Sequence, residues 1–385
     1  MPRGVALPQA GVDRARAVRY TGPVTVDVVI VGGGPAGSTA AWRLARAGAR
    51  VLCLDAARFP RVKLCAGWVT PAALRDLELD PDTYPHTIQP FDAASVVVQG
   101  REHETRFERV ASFGIVRAEF DTMLLRRAEA AGATVREGVR VRSLSRVAGG
   151  VLVEGDGISV RAPLVIGAAG HHCPVARAFG DVSSDEAVVV TQESETRIGA
   201  ARLRALTPRH GTPELIAEPD FRGYGWYFTK GDFLNVGVGA LGGPAIGVRL
   251  ARLRGTLRAM GRLPDDLALT PFRGHAYAIR RSRPRRLAGD HVLLLGDAAG
   301  LARDVSGEGI GPAVRSARLA AEAITGGEPA TYADRIAAAF GTPSTGWAAV
   351  LGAFPPAAVT AVARLACTLP WTRRRLVFEG AFGMG

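Results

Sequence analysis

The sequence predicts an α/β fold: a doubly wound, mainly parallel sheet, interrupted by a mainly antiparallel β domain and followed by a helical C-terminal region. Two stretches carry the prediction. Val26–Asp55 reads as strand, glycine turn, helix and second strand, and Val292–Ile324 reads as a further apolar strand, a glycine-rich loop and a long helix. Between them lie short alternating segments separated by turn residues, the pattern of antiparallel strands. The parallel sheet is thus built from segments distant in sequence.

Val26, Val28, Val29, Ile30 and Val31 form a nearly continuous apolar run, which suits a strand buried on both faces of a parallel sheet. Gly32, Gly34 and Gly37 follow in G-x-G-x-x-G spacing. One glycine serves the tight turn, one lets backbone approach a pyrophosphate, and one permits close helix-to-strand packing. Pro35 and Ala36 open the helix, whose apolar positions are Ala40, Ala41, Leu44 and Ala45 and whose stop is Gly48. Its N-terminus points at the phosphates. The second strand, Arg50 to Leu54, ends in Asp55, the residue type that takes a ribose hydroxyl. Glycine spacing alone fits an ordinary strand-to-helix turn. The full strand, helix, strand and terminal acid specify dinucleotide binding, with FAD and NAD(P) both open at this point.

Composition sets the remaining bounds. The chain has 385 residues with 47% hydrophobic content, enough for two or three domains with a substantial core. Its net charge of +12 suits an anionic surface, yet no nucleic-acid motif accompanies it, so no nucleic-acid partner is expected. All basic residues are arginine except Lys63 and Lys230. The four cysteines, Cys53, Cys65, Cys173 and Cys367, have neither metal-ligand spacing nor the density of a disulfide framework, so a reducing cytoplasm is the expected location and no metal is implied. Residues 1–23 hold four arginines and no apolar core of signal-peptide length, and read as a flexible extension.

Further along, Arg58–Trp68 (RFPRVKLCAGW) is a loop after the second strand that carries Lys63 and Cys65 where cofactor loops concentrate. A strand is expected at Val96–Val98 with a turn at Gly100. An amphipathic helix spans Arg117–Ala131, with Phe120, Leu124 and Ala128 on one stripe and Asp121 in its first turn, where it suits the helix dipole. Strands are expected at Thr134–Val141, Val151–Glu154, Ile158–Arg161 and Leu164–Gly167, the last returning to the parallel sheet. Glu186–Leu241 reads as β throughout and brings Tyr224, Trp226 and Tyr227 close to Lys230. Arg280–Arg286 holds five arginines and reads as a solvated loop, with a phosphate or membrane contact as the minority reading. Val292–Leu295 delivers Gly296 and Asp297 at the C-terminal end of a strand, where ligands bind in open α/β sheets. Gly307, Gly309 and Gly311 precede an Ala- and Leu-rich helix whose N-terminus faces a ligand carrying negative charge, such as a reduced flavin.

The set GGGPAG, R-x-x-F-D at Arg117–Asp121, the Gly296-Asp297 pair and SGEGI at Ser306–Ile310 resembles the flavoproteins folded like p-hydroxybenzoate hydroxylase. That resemblance implies FAD at the glycine loop. Within this superfamily the chain looks most like the geranylgeranyl reductase family. Its P-x-x-K-x-C-G-G-like loop is matched by Pro60, Lys63, Cys65 and Gly67, and its Y-x-W-x-F-P motif followed by G-x-G is matched by Tyr224, Trp226, Phe228, Gly237 and Gly239. Thr229 stands in place of the motif proline, Ala66 in place of a glycine, and Ala169 with Cys173 in place of residues of the hydroxylases.

The resemblance implies a Rossmann-like FAD-binding domain over 24–88, 112–172 and 287–330, a substrate domain over 89–111 and 173–286, and a C-terminal helical region over 331–385. By the same resemblance Gly32, Gly34, Pro35, Ala36, Gly37 and Asp55 hold the ADP half of FAD, and Arg117 braces the cofactor. Gly296 and Asp297 meet the ribityl chain, while Gly307, Glu308, Gly309 and Ile310 line the isoalloxazine. Cys65, Lys63, Tyr224 and Trp226 face the substrate. The implied activity is reduction of carbon–carbon double bonds in a prenyl lipid or prenyl quinone, with NAD(P)H or another reduced carrier as electron donor. A flavin monooxygenase or halogenase acting on a secondary metabolite is the alternative, and a flavin-binding protein without turnover is a third reading. The apolar stretch Trp347–Trp371, broken by Pro355, Pro356 and Arg364, is too interrupted to span a membrane. It reads as a helical cap, a plain packing subdomain or a peripheral contact with the inner face of the membrane.

Overall fold

A computed structural model describes residues 26–207, 211–242, 245–280, 285–341 and 355–384. The expectation for residues 1–23 lies outside them, as do those for residues 281–284 of the arginine-rich loop and residues 347–354 of the apolar stretch. In chain order the elements used below are β1 (Val28–Val31), α1 (Pro35–Arg46), β2 (Val51–Asp55), β3 (Ala93–Val98), β4 (Arg101–Arg106), α2 (Arg117–Ala130), β5 (Thr134–Glu137) and β6 (Leu164–Gly167). They continue with β7 (Val188–Arg197), β8 (Glu214–Ala217), β9 (Gly223–Lys230), β10 (Phe233–Leu241), β11 (Arg273–Ala278), β12 (Ala288–Gly289), β13 (Val292–Leu294), α3 (Ile310–Thr325) and α4 (Pro356–Thr368).

Two sheets organise the molecule. The first runs β12–β13–β6–β1–β2–β5, parallel except for the β12 edge. Val28–Val31 are all buried, as a central strand covered on both faces requires, and α1, α2 and α3 pack over it. The second runs β11–β7–β10–β9–β8–β3–β4 and is antiparallel except where β8 meets β3. Strand alternation divides its side chains. Tyr227, Leu234, Val236 and Val238 face a core closed by Leu253 and Leu257 of the helix Ile246–Ala259, whereas Trp226 and Phe228 face a second core with Trp68, Phe91 and Phe378. This second face looks toward the end of the parallel sheet, and the site forms between them.

Several local expectations change. The single strand expected over Thr134–Val141 is broken by Gly138, which has φ +75°, into β5 and a separate strand Val141–Val147 of a small three-stranded sheet. The β-like stretch Glu186–Leu241 also contains the helix Ala200–Leu206. Pro174–Phe179 forms a helix packed on the parallel sheet, so Cys173, Val175 and Ala176 join the nucleotide-side core. The solvated-loop reading of Arg280–Arg286 fails at Arg285, whose side chain is 1% exposed and which pairs through two contacts of 2.6 Å with Glu186. Asp121 does not simply serve the helix dipole: it is fully buried and takes a two-pronged pair from Arg117 at 2.8 and 2.7 Å.

Candidate active site

A cavity of about 910 Å³ runs from the β1–α1 turn to the face of the antiparallel sheet. That is near the top of the range of roughly 300–1,000 Å³ common for ligand sites. The dinucleotide end is built by the glycine turn. Gly32 has φ +110°, and a Cβ there would lie 2.5 Å from the Ala168 backbone. At Gly37 a Cβ would lie 1.7 Å from the Gly32 carbonyl, so these two glycines let α1 close onto the sheet. Gly34 differs. A Cβ on it would meet only Arg61 Nη2, at 3.4 Å, because Gly34 faces the cavity. No side chain caps the N-terminus of α1, which leaves its amide groups for a ligand. Asp55 also lines the cavity and accepts the Gly33 N–H at 2.7 Å and the Ala57 N–H at 2.8 Å, which fixes its carboxylate at the end of β2.

The middle of the cavity is strongly basic. Arg117, Arg61 and Lys63 line it, and Arg61 reaches Asp121 at 3.3 Å. Burial works against the charge of Arg117, but Asp121 and Cys65 more than offset it and hold the guanidinium above its ordinary pKa. Burial followed by Arg117 pushes Lys63 down to about 8. Its Nζ lies 2.7 Å from Nε2 of His275, and burial followed by Lys63 pushes His275 down to about 3, so the ring is neutral at physiological pH. On the far wall, burial raises the pKa of Asp297 although Lys63, Arg117 and Arg285 oppose the shift. Arg285 holds the turn that carries Asp297, donating to the Ala298 carbonyl at 2.9 Å and the Asp297 carbonyl at 3.3 Å. An arginine from the loop thus supports the site from behind.

The loop Ser306–Ile310 closes this wall below the N-terminus of α3. Gly307 has φ +67°, and a Cβ there would sit 2.0 Å from the Tyr277 hydroxyl, so only glycine allows that tyrosine to approach. Tyr224 donates its hydroxyl proton to the Ser306 carbonyl and ties the antiparallel sheet to this loop.

The distal end is aromatic. Trp226 donates to Asn235 Oδ1 at 2.6 Å, which fixes its ring. Gly237 stands opposite Trp226 across β10, where a Cβ would lie 2.3 Å from the indole. The motif glycine therefore lets the ring lie across the neighbouring strand. Trp68 and Phe382 complete the wall, with ring centroids 5.4 Å apart, and Phe382 is 5.6 Å from Tyr224. The Cys65 turn enters between this aromatic end and Arg117. Lys230, wholly buried, donates to the Ala66 carbonyl at 3.0 Å and pairs with Glu195, which pins the turn. Gly67, at φ +71°, could not accept a Cβ, which would lie 2.2 Å from the Ile115 carbonyl.

The cavity brings together Gly32, Gly34, Pro35, Ala36, Asp55 and Arg117 of the expected cofactor residues, and Asp297 with Gly307–Ile310. Lys63, Cys65, Tyr224 and Trp226 also line it. Gly37 and Gly296 do not line it; Gly296 donates its N–H to Ser316 Oγ at 3.0 Å and packs against Ala313. Sequence reasoning missed Glu193, His275, Tyr277, Trp68 and Phe382. His275 and Tyr277 alternate on β11 and Glu193 falls on β7, so period-two alternation was the available signal. Nothing in the sequence said which face met the cavity.

An open glycine at an uncapped helix N-terminus, a fixed acid at the end of β2 and a second glycine loop at a helix start define a dinucleotide-binding flavoprotein, and these residues fit the elongated FAD molecule. The FAD binding domain family matches residues 25–325. Menaquinone reductase of Mycolicibacterium smegmatis is 30% identical over 346 residues, covering 80% of this chain and 78% of that protein. Digeranylgeranylglycerophospholipid reductase 1 of Methanopyrus kandleri is 33% identical over 309 residues, covering 77% and 79%. The crystal structure of a geranylgeranyl bacteriochlorophyll reductase-like protein from Thermoplasma acidophilum superimposes with a TM-score of 0.71 at 20% identity, over 92% of this chain and 99% of that one, a likeness of fold. The chain belongs to the geranylgeranyl reductase family of FAD-dependent oxidoreductases.

Proposed function

We propose that this protein reduces carbon–carbon double bonds in a prenyl lipid or prenyl quinone. The observation that carries the reading is the meeting of the Cys65 turn with Tyr224, Trp226, Trp68 and Phe382 at the end of the cavity beyond the Ser306–Ile310 loop. The names of the relatives over most of the chain support the same substrate class. FAD, when bound, supplies the hydride, with NAD(P)H or another reduced carrier as the source of electrons. Gly34, Pro35, Ala36 and Asp55 hold its ADP half, Arg117 and Asp297 its centre, and Gly307–Ile310 its ring. An isolated prenyl double bond accepts hydride poorly, so a positioned acid must protonate the other carbon. In this reading Cys65 is that acid, supported by its place in the cavity lining beside Arg117 and Tyr224, and the aromatic walls hold the alkene and exclude water. Anaerobic photoreduction followed by mixing with a geranylgeranyl lipid tests this. Reoxidation with formation of the saturated lipid is expected. An enzyme that leaves the lipid untouched and reacts with oxygen to modify a small aromatic compound supports the monooxygenase or halogenase alternative.

The substrate class also gives the C-terminal segment a role at the inner face of the membrane. No helix among the described residues is long and apolar enough to cross a membrane. Yet Val362, Leu365, Leu369, Trp371 and Leu376 expose between 42% and 69% of their surface on the segment that ends in the cavity-lining Phe382. Arg364, Arg374 and Arg375 flank them. Such a surface inserts its apolar side chains at the lipid boundary while arginines meet anionic headgroups. Binding to vesicles containing anionic lipid is expected to weaken as salt shortens the Debye length from roughly 30 Å at 0.01 M to about 8 Å at 0.15 M. Co-sedimentation measures it, and failure to bind either neutral or anionic vesicles returns the segment to a packing role.

A further inference from the structure

Strands β7, β9 and β10 place a polar band within the otherwise apolar face above the cavity. Thr191, Glu193 and Glu195 alternate along β7, and Lys230 and Asn235 stand beside them on β9 and β10. Glu193 is 3% exposed and lines the cavity, with its Cβ against Gly237 and next to Trp226. The backbone N–H of Cys65 interacts with its carboxylate. Lys230 pairs with Glu195, whose side chain is 27% exposed and so reaches solvent. Asn235 Nδ2 donates to the same Glu195 oxygen that Lys230 contacts. A buried carboxyl that lines the cavity near the backbone N–H of Cys65, the one cysteine lining it, with the Lys230–Glu195 pair beside it, serves no purpose in packing an apolar wall.

We propose that Glu193 is the proton store for Cys65. The inference rests on the reductase reading of the same site. For each double bond, one hydride from the reduced cofactor forms a C–H bond at one alkene carbon, and the Cys65 S–H bond breaks to give its proton to the other. The O–H bond of Glu193 then breaks to restore the thiol, and its carboxylate regains a proton from solvent along the Lys230–Glu195 side. The π bond is consumed, the cofactor is oxidised by two electrons, and one solvent proton is taken up. Glu193 acts through Cys65 and is in that sense a positioning residue.

Burial pushes Glu193 up to about 7, which Lys230 and the Cys65 N–H only partly offset. The groups facing it are Lys230 on β9, Glu195 on its own strand, Arg117 at the start of α2 and Cys65 on its turn. Tyr277 and Arg273 face it from β11. A carboxyl titrating near neutrality is matched to proton transfer at that pH. The shift also has a stability signature that needs no turnover. Between the ordinary glutamate value of about 4.3 and about 7 the native state binds the proton that the unfolded chain has lost. The contribution of Glu193 to stability is therefore full below that window and lost as pH rises through 7.

The test compares wild type, Glu193→Gln and Glu193→Asp, each loaded with FAD to equal flavin absorbance. Melting temperature is followed from pH 4 to 9, and the photoreduced proteins are mixed with a geranylgeranyl lipid across the same range. The melting-temperature gap between Glu193→Gln and wild type is expected to widen in favour of glutamine up to about pH 7 and then level. Wild-type lipid reduction is expected to fall as pH rises through about 7. Glu193→Gln is expected to be roughly 10-fold slower or more at pH 6, without that fall, and Glu193→Asp to restore part of the rate and of the pH dependence. A glutamine variant with the wild-type rate or the same pH limb overturns the proposal, as does a melting gap that does not change with pH. A wild type that never reduces the lipid overturns the reductase reading first and the store with it. A working wild type with an unaffected glutamine variant overturns the store alone.

Discussion

Gly34→Val is expected to give a folded protein without its yellow colour. Gly34 sits at φ −74° and ψ −173°, a conformation open to any residue, and a Cβ there meets nothing closer than Arg61 Nη2 at 3.4 Å. The fold therefore has room for the side chain. The ligand is expected to have none, because in the proposed reading Gly34 is where the backbone approaches the pyrophosphate at the start of α1. FAD affinity is expected to fall roughly 10²-fold or more, equivalent to about 2.8 kcal/mol. The variant should melt with the apo wild type and gain no stability from added FAD, since only a bound ligand stabilises the native state. Flavin absorbance and melting temperature on the same preparation check it. Retention of wild-type flavin would remove the pyrophosphate from this turn. Gly32→Ala and Gly37→Ala make the contrast, since their Cβ atoms would strike backbone at 2.5 and 1.7 Å and damage the fold itself.

Cys65→Ser is expected to keep FAD and melting temperature while prenyl double-bond reduction falls roughly 10²-fold or more. Lys230 on the Ala66 carbonyl and the shape of Gly67 hold the turn that carries Cys65, and a serine hydroxyl can accept the Gly67 N–H that the Cys65 sulfur accepts at 3.4 Å, so the serine inherits the geometry. What changes is the acid. A serine hydroxyl is a far weaker proton donor than a thiol. Cys65 also touches the edge of the core formed by Val69, Leu74 and Phe120, so Cys65→Ala separates the two roles. Alanine costs roughly 1 kcal/mol if the thiol packs and nothing more. Reduced-lipid yield, flavin occupancy and melting temperature measured together decide it, and an unchanged yield in the serine variant removes Cys65 from the chemistry.

The outcome at particular residues separates what was legible in the sequence from what was not. Val28–Val31, Gly32, Gly34, Gly37 and Asp55 could be read because strand, turn, helix and acid occur within thirty consecutive residues, where spacing alone fixes geometry. Phe120, Leu124 and Ala128 were legible for a similar reason, since helical periodicity marks the buried stripe without any partner being known. Arg285 was not. Five arginines in seven residues read as a solvated loop until Glu186, about a hundred residues earlier in the chain, is found beside one of them. Tyr224, Trp226 and Tyr227 looked alike beside Lys230, yet Tyr227 faces the opposite core from Trp226 because successive strand residues alternate.

The sequence by itself determined the strand, glycine turn, helix and second strand of Val26–Asp55, the second glycine loop at Gly307–Gly311 and the reductase motifs around Cys65 and Trp226, because each is carried by near neighbours in the chain. Only the tertiary structure decided that Lys230 anchors the Cys65 turn from 164 residues away and that burial, followed by Lys63, keeps His275 uncharged. It also decided that Glu193 lines the same cavity as Cys65 while Phe382 packs against Trp68 at the aromatic end. Those contacts come from stacking one sheet over the end of another, and the pairing of two distant faces leaves no periodicity in either strand that could announce it.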